Sequence, residues 1–505
     1  MADSVPRMTD TRGATLEALS TRAFDLLVVG GGIIGAGVAA HAAREGLSVA
    51  LVDAGDFGGA TSSSSSKLIH GGLRYLRMGD VRLVREAHHE RRVLSNVVAP
   101  HLVHRQPFLF PLYEGGPYRP AFVQSGILLY SALATSRLHW LVSPERAKSA
   151  VPQIRTEGLR SCALYADAWT NDTRLCLENI RAAADAGAAV ANRAKVVAIR
   201  TVGGRAIGAD VEVDGATIAV QARCVINAAG PWVDHVRQLE DPAAAPSIRL
   251  SKGVHALVPL PDRWNVALTI AQDEVRVTFA VPWYGMLLLG TTDTEFEGDP
   301  GTVRAEPEDV QTILREASVA LELDSLNHPE AVLSTWAGLR VLPAGEGESV
   351  NARRETVYSV GRAGMVSVAG GKLTTYRRIA LGALERLRSE LDLHALDTKP
   401  FPLPGAAAAE DVRLPVEVDP ELAQYLYHLY GSNSADVLAP AVERPELLER
   451  LNPGGPDIIA QVPYATSREW ATTVEDVVHR RTMLGYRGLA DEATRARIGE
   501  LLGSA

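Results

Sequence analysis

The stretch "FDLLVVGGGIIGAGVAAHAAREGLSVALVDAG" (24–55) constrains the fold more than any other part of the 505-residue chain. An apolar run ends at Val29, glycines follow, and small and apolar residues then recur at helical spacing through Arg44, until Gly46 stops the helix and a second apolar run closes on Asp53. Strand, tight turn, helix and strand in that order make a βαβ unit, which requires a parallel sheet. Gly30, Gly32 and Gly35 fit G-x-G-x-x-G. The first makes the turn, the second admits a pyrophosphate to the backbone, and the third lets helix and strand approach. The helix N-terminus offers N–H groups to phosphates. Asp53 is placed to accept from ribose hydroxyls. The unit is read as dinucleotide-binding.

A second alternation runs from about 174 to 230: a helix ending at Gly187, one strand through 188–200, two strands around an Asp-Gly turn, and a small-residue turn "INAAGPWVD" that can also lie against the cofactor. Short strands with Pro and Gly punctuation between roughly 245 and 345 predict a mostly antiparallel sheet. A third βα junction, "MVSVAGGKLTTY", offers another helix N-terminus. After "KPFPLPG" the chain reads mainly helical, as a separate C-terminal domain. Residues 121–142 hold Gln124, Ser125, Arg137 and His139, and are read as a buried or interfacial helix rather than a membrane span.

Net charge is −9, which argues against a nucleic-acid partner. The three cysteines have neither disulfide nor zinc spacing, and the scattered histidines, including His88-His89 and "HLVH" (101–104), lack metal-ligand partners, so no metal is expected. No apolar leader of signal-peptide type precedes the first strand, so a cytoplasmic protein is expected.

"ATSSSSSKLIHGGLRYL" (60–76) resembles a linker for its first half only, because the serines run into Leu-Ile and a Gly-Gly turn. Together with "VVGGGIIGAGVA", "INAAGPWV", "RLSKGVHALVP", "VPWYGMLLLGTTDTEFEGDP", "AGLRVL", "AGGKLTTYRRIA" and "YGSNS", it resembles the FAD-dependent glycerol-3-phosphate dehydrogenases, in the family's order across 24–434. The resemblance implies an α/β fold: a Rossmann-like FAD-binding domain and a mixed-sheet substrate domain of the amino-acid-oxidase-like flavoprotein type, followed by a helical C-terminal domain. The expected boundaries are a disordered 1–20, FAD-binding segments near 21–100, 165–245 and 350–390, substrate segments near 101–164 and 246–349, and a C-terminal domain over 399–505.

The resemblance further implies FAD contacts from Gly30, Gly32, Ile33, Ile34, Gly35, Asp53, Thr61, Ser62, Ser66, Lys67, Leu68, His70, Gly71, Val196, Ala229, Gly230, Gly371, Lys372, Leu373 and Thr374. It implies that the substrate is glycerol 3-phosphate, oxidised to dihydroxyacetone phosphate. A phosphate needs fixed cations, and arginine holds two of its oxygens at once. The candidates by motif are Arg74, Arg340, Arg354 (with Arg353 adjacent) and Lys372, beside Tyr75. Arg77, Arg82, Arg85, Arg91 and Arg92 are read as an exposed helix face. Removing the hydroxyl proton needs a base; His70 is the candidate, equally readable as a flavin contact, and His255 is the runner-up. Electrons are expected to pass to a quinone or another acceptor, with peripheral contact at the inner face of the cell membrane and a homodimer both open. The rival readings are a flavin oxidase of an amino acid or amine, a non-catalytic FAD-binding protein, and a plain NAD-dependent dehydrogenase.

Overall fold

A computed structural model describes residues 8–73, 79–134, 140–344 and 356–504. Two sheets organise them. In the first, the strand Ala23–Val29 lies parallel between Val49–Val52 and Ala216–Asn227, with Val366–Ala369 and Ala189–Ala191 parallel on the outside. The helices Ile33–Arg44, Asp172–Asp185 and Tyr376–Glu385 cover one face. The other face packs on the strands Lys195–Val202 and Arg205–Val213 through Val196, Ile199, Ala209 and Val211, so the central strands are buried on both faces and read as continuous apolar runs. The Asp-Gly turn is present: Asp214 and Gly215 take φ of 51° and 81° between antiparallel strands Arg205–Val213 and Ala216–Asn227.

The second sheet is antiparallel throughout except where Ala267–Ala271 runs parallel to His104–Tyr113. The helix Pro307–Ala317 packs on one face. The other face shares a single apolar core with the C-terminal segment, in which Trp283, Met286 and Leu288 of the sheet cluster with Tyr425, Leu426, Tyr430 and Leu484. The C-terminal segment is mainly helical, as expected, and packs directly on this sheet. Its apolar surface is completed by the substrate sheet.

Four expectations change. The N-terminal segment carries a helix, Met8–Thr21, where disorder is expected. The single strand expected through 188–200 is two, Ala189–Ala191 and Lys195–Val202, because Arg193 turns at φ 51° while Arg193 and Ala194 donate to the carbonyls of Gly55 and Asp53. The pair Leu68–Ile69, placed by sequence in an FAD segment, joins the second sheet opposite Trp169 and Ala168. Arg91 is buried rather than on an exposed face: it donates to the Asp167 carboxylate and to the Ala166 carbonyl at 2.8 Å, a partnership 76 residues away that helical periodicity does not reveal. Arg77 lies outside the described residues, whereas Arg82 and Arg85 are exposed as expected.

Three histidines, His41, His88 and His101, pack as buried neutral rings, and His104 as a half-buried one. Burial holds His41 down at about 4, and His88, His101 and His104 at about 3. Each folded-state value lies below the unfolded value of about 6.5, so the unfolded chain binds more protons between the two. The stability these rings contribute is complete above pH 6.5 and is lost as pH falls toward 4 and 3. The unfolding midpoint is expected to drop progressively from pH 6.5 downward, as calorimetry would show; a midpoint flat from pH 7 to 4.5 contradicts this.

Candidate active site

The carboxyl ends of the parallel strands meet where an open α/β sheet binds its ligand. Gly30 takes φ +103°, and a Cβ there would lie 2.6 Å from the Ala228 carbonyl oxygen. A Cβ on Gly35 would lie 1.9 Å from the Gly30 oxygen, so the helix sits directly on the turn. The helix that starts at Ile33 has no side-chain cap of its own. Ser62 supplies one from the serine run, accepting from the Ile33 N–H at 2.9 Å. Asp53 accepts from the N–H groups of Gly31 at 2.6 Å and Gly55 at 2.7 Å, which fixes its carboxylate at the end of the second strand. Burial raises the Asp53 carboxyl, with the two N–H groups pulling against it. Ala229 and Gly230 end the neighbouring strand, Ala229 donating to the Asn227 side chain at 3.2 Å. Val196 follows the Ala194–Asp53 backbone bond by two residues. Ile34 is partly buried against the same core.

The serine run is fully structured. Thr61–Ser63 is a 3-10 turn, and Thr61 donates to the Leu339 carbonyl at 2.8 Å. Ser65 donates through Oγ and N to Asp172 at 2.7 and 3.1 Å. Ser66 Oγ lies 2.8 Å from His255 Nε2. Gly338 permits the contact with the sheet above: its Cβ would be 2.4 Å from the Ser64 oxygen.

Lys67 does not point at the cofactor cradle. Its ammonium is fully buried behind the run, 2.6 Å from both Asp172 Oδ1 and the Ser63 carbonyl.

A cavity of about 490 Å³ adjoins this cradle, walled by Ser66, Leu68, His70, Gly72, Thr291 and Arg340, with Phe108, Phe110 and Tyr165 beyond them. Arg340 comes from the strand Ser334–Pro343, opposite Ser251. It donates to Thr291 Oγ1 at 3.1 Å and the Thr292 carbonyl at 3.2 Å, and Asp293 lies 3.1 Å away. Gly253 makes room for it: a Cβ there would be 2.8 Å from Arg340 Nη2. Gly253, Thr291 and Asp293 were not singled out from sequence, although they lie inside the matched motifs.

His70 is held by its backbone. Its N–H donates to Thr374 Oγ1 at 3.2 Å, and the same hydroxyl is 3.2 Å from the His70 carbonyl. The adjacent Gly71 N–H donates to Asp167 at 3.1 Å, and a Cβ on Gly71 would strike the His88 ring at 2.3 Å. Asp167 is anchored in turn by Arg91 and by Tyr130 at 2.8 Å. Nothing in the local sequence marks Asp167 or Tyr130.

Gly370 and Gly371, at φ +74° and +91°, end the strand Val366–Ala369; Lys372 precedes the 3-10 turn Leu373–Thr375 that opens the third helix. His255 is buried and stacks on Trp336, with ring centroids 5.3 Å apart. Burial, reinforced by the charges of Arg340 and Lys67, holds it well below the ordinary imidazole range, so it is neutral at pH 7. Arg74, Tyr75, Arg353 and Arg354 lie outside the described residues. Among the described residues no cluster of His, Cys, Asp and Glu is arranged to hold a metal.

A glycine cradle without Cβ atoms, a capped helix start and an acidic strand end fit a dinucleotide. With the adjoining walled cavity and a matching family profile over most of the chain, the whole is a flavin-dependent oxidoreductase of the amino-acid-oxidase class. The profile described as "FAD dependent oxidoreductase" matches residues 25–377, and that described as "C-terminal domain of alpha-glycerophosphate oxidase" matches 396–504. The chain is 35% identical over 501 residues to a glycerol-3-phosphate dehydrogenase of Mycobacterium leprae, covering 95% of this chain and 85% of that one. It is 34% identical to a Synechocystis glycerol-3-phosphate dehydrogenase, over 92% and 90% of the two chains. The crystal structure of the Bacillus halodurans glycerol-3-phosphate dehydrogenase complexed with FAD superposes with a TM-score of 0.79 at 28% identity, covering 98% of this chain and 94% of that one. The chain belongs to the FAD-dependent glycerol-3-phosphate dehydrogenase family, and its cofactor is FAD.

Asp53→Ala is expected to weaken FAD retention, since it removes the carboxylate at the end of the second strand and leaves the Gly31 and Gly55 N–H groups of the turn without their acceptor. The ratio of flavin to protein absorbance after gel filtration checks this. Full occupancy would remove Asp53 from the cofactor site.

Proposed function

We propose that this protein oxidises sn-glycerol 3-phosphate to dihydroxyacetone phosphate and passes the electrons from FAD to a quinone. The observation that carries the reading is Arg340: a planar guanidinium braced by Thr291, Thr292 and Asp293 on the wall of a cavity beside the dinucleotide cradle. A braced fork suits a phosphate, which carries roughly two negative charges near neutrality. The names of the relatives support the same substrate.

FAD, when bound, supplies the ring that accepts the hydride from C2 of the alcohol. The chain's own part is to bind, orient and deprotonate. Arg340 holds the phosphate end, and in this reading Arg74, Arg354 and Lys372 complete the cation set. His70, on the cavity wall with its backbone pinned to Thr374, takes the 2-hydroxyl proton. His255 is the second imidazole near the site; it is engaged with Ser66 and kept neutral by burial. The apolar rings of Phe108, Phe110 and Phe279 exclude water from the far side.

Those rings also support the acceptor. The helix Pro120–Leu133 exposes Phe122 (59%), Leu128 (51%) and Leu129 (46%), and Phe122 and Leu129 line the cavity as well. The cavity therefore opens within an apolar surface, as access for a lipid-dissolved quinone requires. No helix among the described residues is long and apolar enough to cross a membrane, so contact in this reading is peripheral.

His70→Ala tests the base. Flavin reduction in anaerobic stopped flow is expected to slow by about 10²–10⁴-fold, with little change in half-saturating substrate. Reduction at the wild-type rate would exclude His70.

A further inference from the structure

The best-connected cluster outside the proposed chemistry surrounds Lys67. Its ammonium contacts Asp172 and the Ser63 carbonyl, and a third partner comes from 419 residues away: Tyr486 Oη, at 3.0 Å. The same hydroxyl lies 3.2 Å from the Ser63 carbonyl. Three aromatic faces surround the cation, Trp336 and Tyr486 at 4.9 Å and Trp283 at 5.5 Å. Burial alone would strip the proton from a lysine, but the neighbouring Asp172 and Tyr486 more than offset it, and Lys67 stays charged. The cage is therefore a fixed positive centre rather than a titrating one.

One wall of the cage, Trp336, reaches the serine run and His255. Trp336 donates through Nε1 to the Ser65 carbonyl at 3.3 Å and stacks on His255, which meets Ser66. Tyr486 packs edge-on against Trp336 and Trp283, with centroids 5.4 and 5.0 Å away. Its own backbone is tied to the substrate sheet by Ser334 Oγ, which donates to the Tyr486 carbonyl at 2.8 Å. Ser63 is thus held from behind by the C-terminal segment, and Ser65 and Ser66 by Trp336 and His255 of the substrate sheet.

We propose that Tyr486 is a positioning residue for the flavin site: through Lys67 and Trp336 it sets the placement of Ser63–Ser66 and of His255 against the cofactor. This gives the C-terminal segment a part in the reaction beyond covering the sheet. The inference rests on the functional reading above for its kinetic arm only.

The test uses the FAD-loaded Tyr486→Phe protein, which keeps the ring and removes the two hydroxyl contacts. FAD occupancy is expected to equal wild type, the visible flavin band of the oxidised protein to shift, and anaerobic reduction by glycerol 3-phosphate to slow about tenfold at unchanged half-saturating concentration. A purely structural role would lower the unfolding midpoint without that split between rate and saturation. Wild-type reduction with an unshifted band overturns the proposal. Should Tyr486→Phe lose FAD, Trp336→Phe, which keeps a ring on His255 but loses the bond to Ser65, carries the same readings. If glycerol 3-phosphate reduces neither wild type nor variant, the substrate reading fails and the band shift alone decides the role of Tyr486.

Discussion

Replacing Arg340 with lysine is expected to lower kcat/KM for glycerol 3-phosphate by about 10²-fold while leaving FAD bound. The guanidinium is braced on one side by Thr291 Oγ1 and the Thr292 carbonyl, with Asp293 beside it, and this leaves the plane of the fork set by the strand beneath. Lysine keeps the charge but presents a single point on a flexible stem, so it cannot satisfy Thr291 and Thr292 and also grip two phosphate oxygens. Asp293 would compete with the phosphate for that ammonium. The loss should fall on kcat as well as KM, because a loosely held phosphate lets C2 wander from its reacting position. Steady-state kinetics with an artificial acceptor, alongside the flavin spectrum, check this. A variant with wild-type kcat/KM would show that Arg340 does not hold the substrate.

The second large effect is on stability. Arg481 is completely buried and makes a two-pronged pair with Asp56, both N–O distances being 2.8 Å. It donates as well to the Glu469 carbonyl at 3.0 Å through Nε. Asp56 immediately precedes Phe57, whose ring packs so closely under the glycine turn that a Cβ on Gly31 would lie 2.4 Å from it. The pair therefore links the C-terminal segment to the cofactor cradle. Burial raises the Asp56 carboxyl, but the charges of Arg481 and Arg480 more than reverse this, and the group stays ionised. Arg481→Met should cost about 3–5 kcal/mol, the usual result of stripping one partner from a buried pair. Arg480 also pairs with Asp56 and should keep the loss toward the lower figure. Denaturant unfolding of the holoprotein measures it, and FAD release should accompany it. A change below about 1 kcal/mol would show that Arg480 alone suffices.

The parts of this molecule that could be read from sequence are those whose meaning is local. Gly30, Gly32, Gly35 and Asp53 lie within one strand-turn-helix-strand unit, so their spacing together with the strands and helix around it points to a cofactor cradle. Arg340 and His255 became legible only through motifs that a family shares, because strand position says nothing about which arginine faces a cavity. Other residues were illegible for a physical reason. Arg91 sits on a helix with three other arginines, and only its distant partner, Asp167, makes it a buried brace for the Gly71 turn. The ammonium of Lys67 was illegible for the same reason, since its partners Asp172 and Tyr486 lie far away in the chain. Tyr486 had no signal at all: its role is defined by Ser63 and Lys67, more than four hundred residues earlier. The shared core of substrate sheet and C-terminal segment was hidden for the same reason, since a linker-like composition at 399–405 reports chain flexibility and not what the next helices pack against.

The central claim is that this site takes a phosphorylated sugar alcohol and delivers its hydride to FAD. It is tested most directly by adding glycerol 3-phosphate to the purified, FAD-loaded protein under anaerobic conditions and following the visible flavin absorbance. Glycerol 3-phosphate should bleach the band and glycerol should not, with recovery on adding a quinone. A band unchanged by glycerol 3-phosphate, or bleached equally by glycerol, would contradict it.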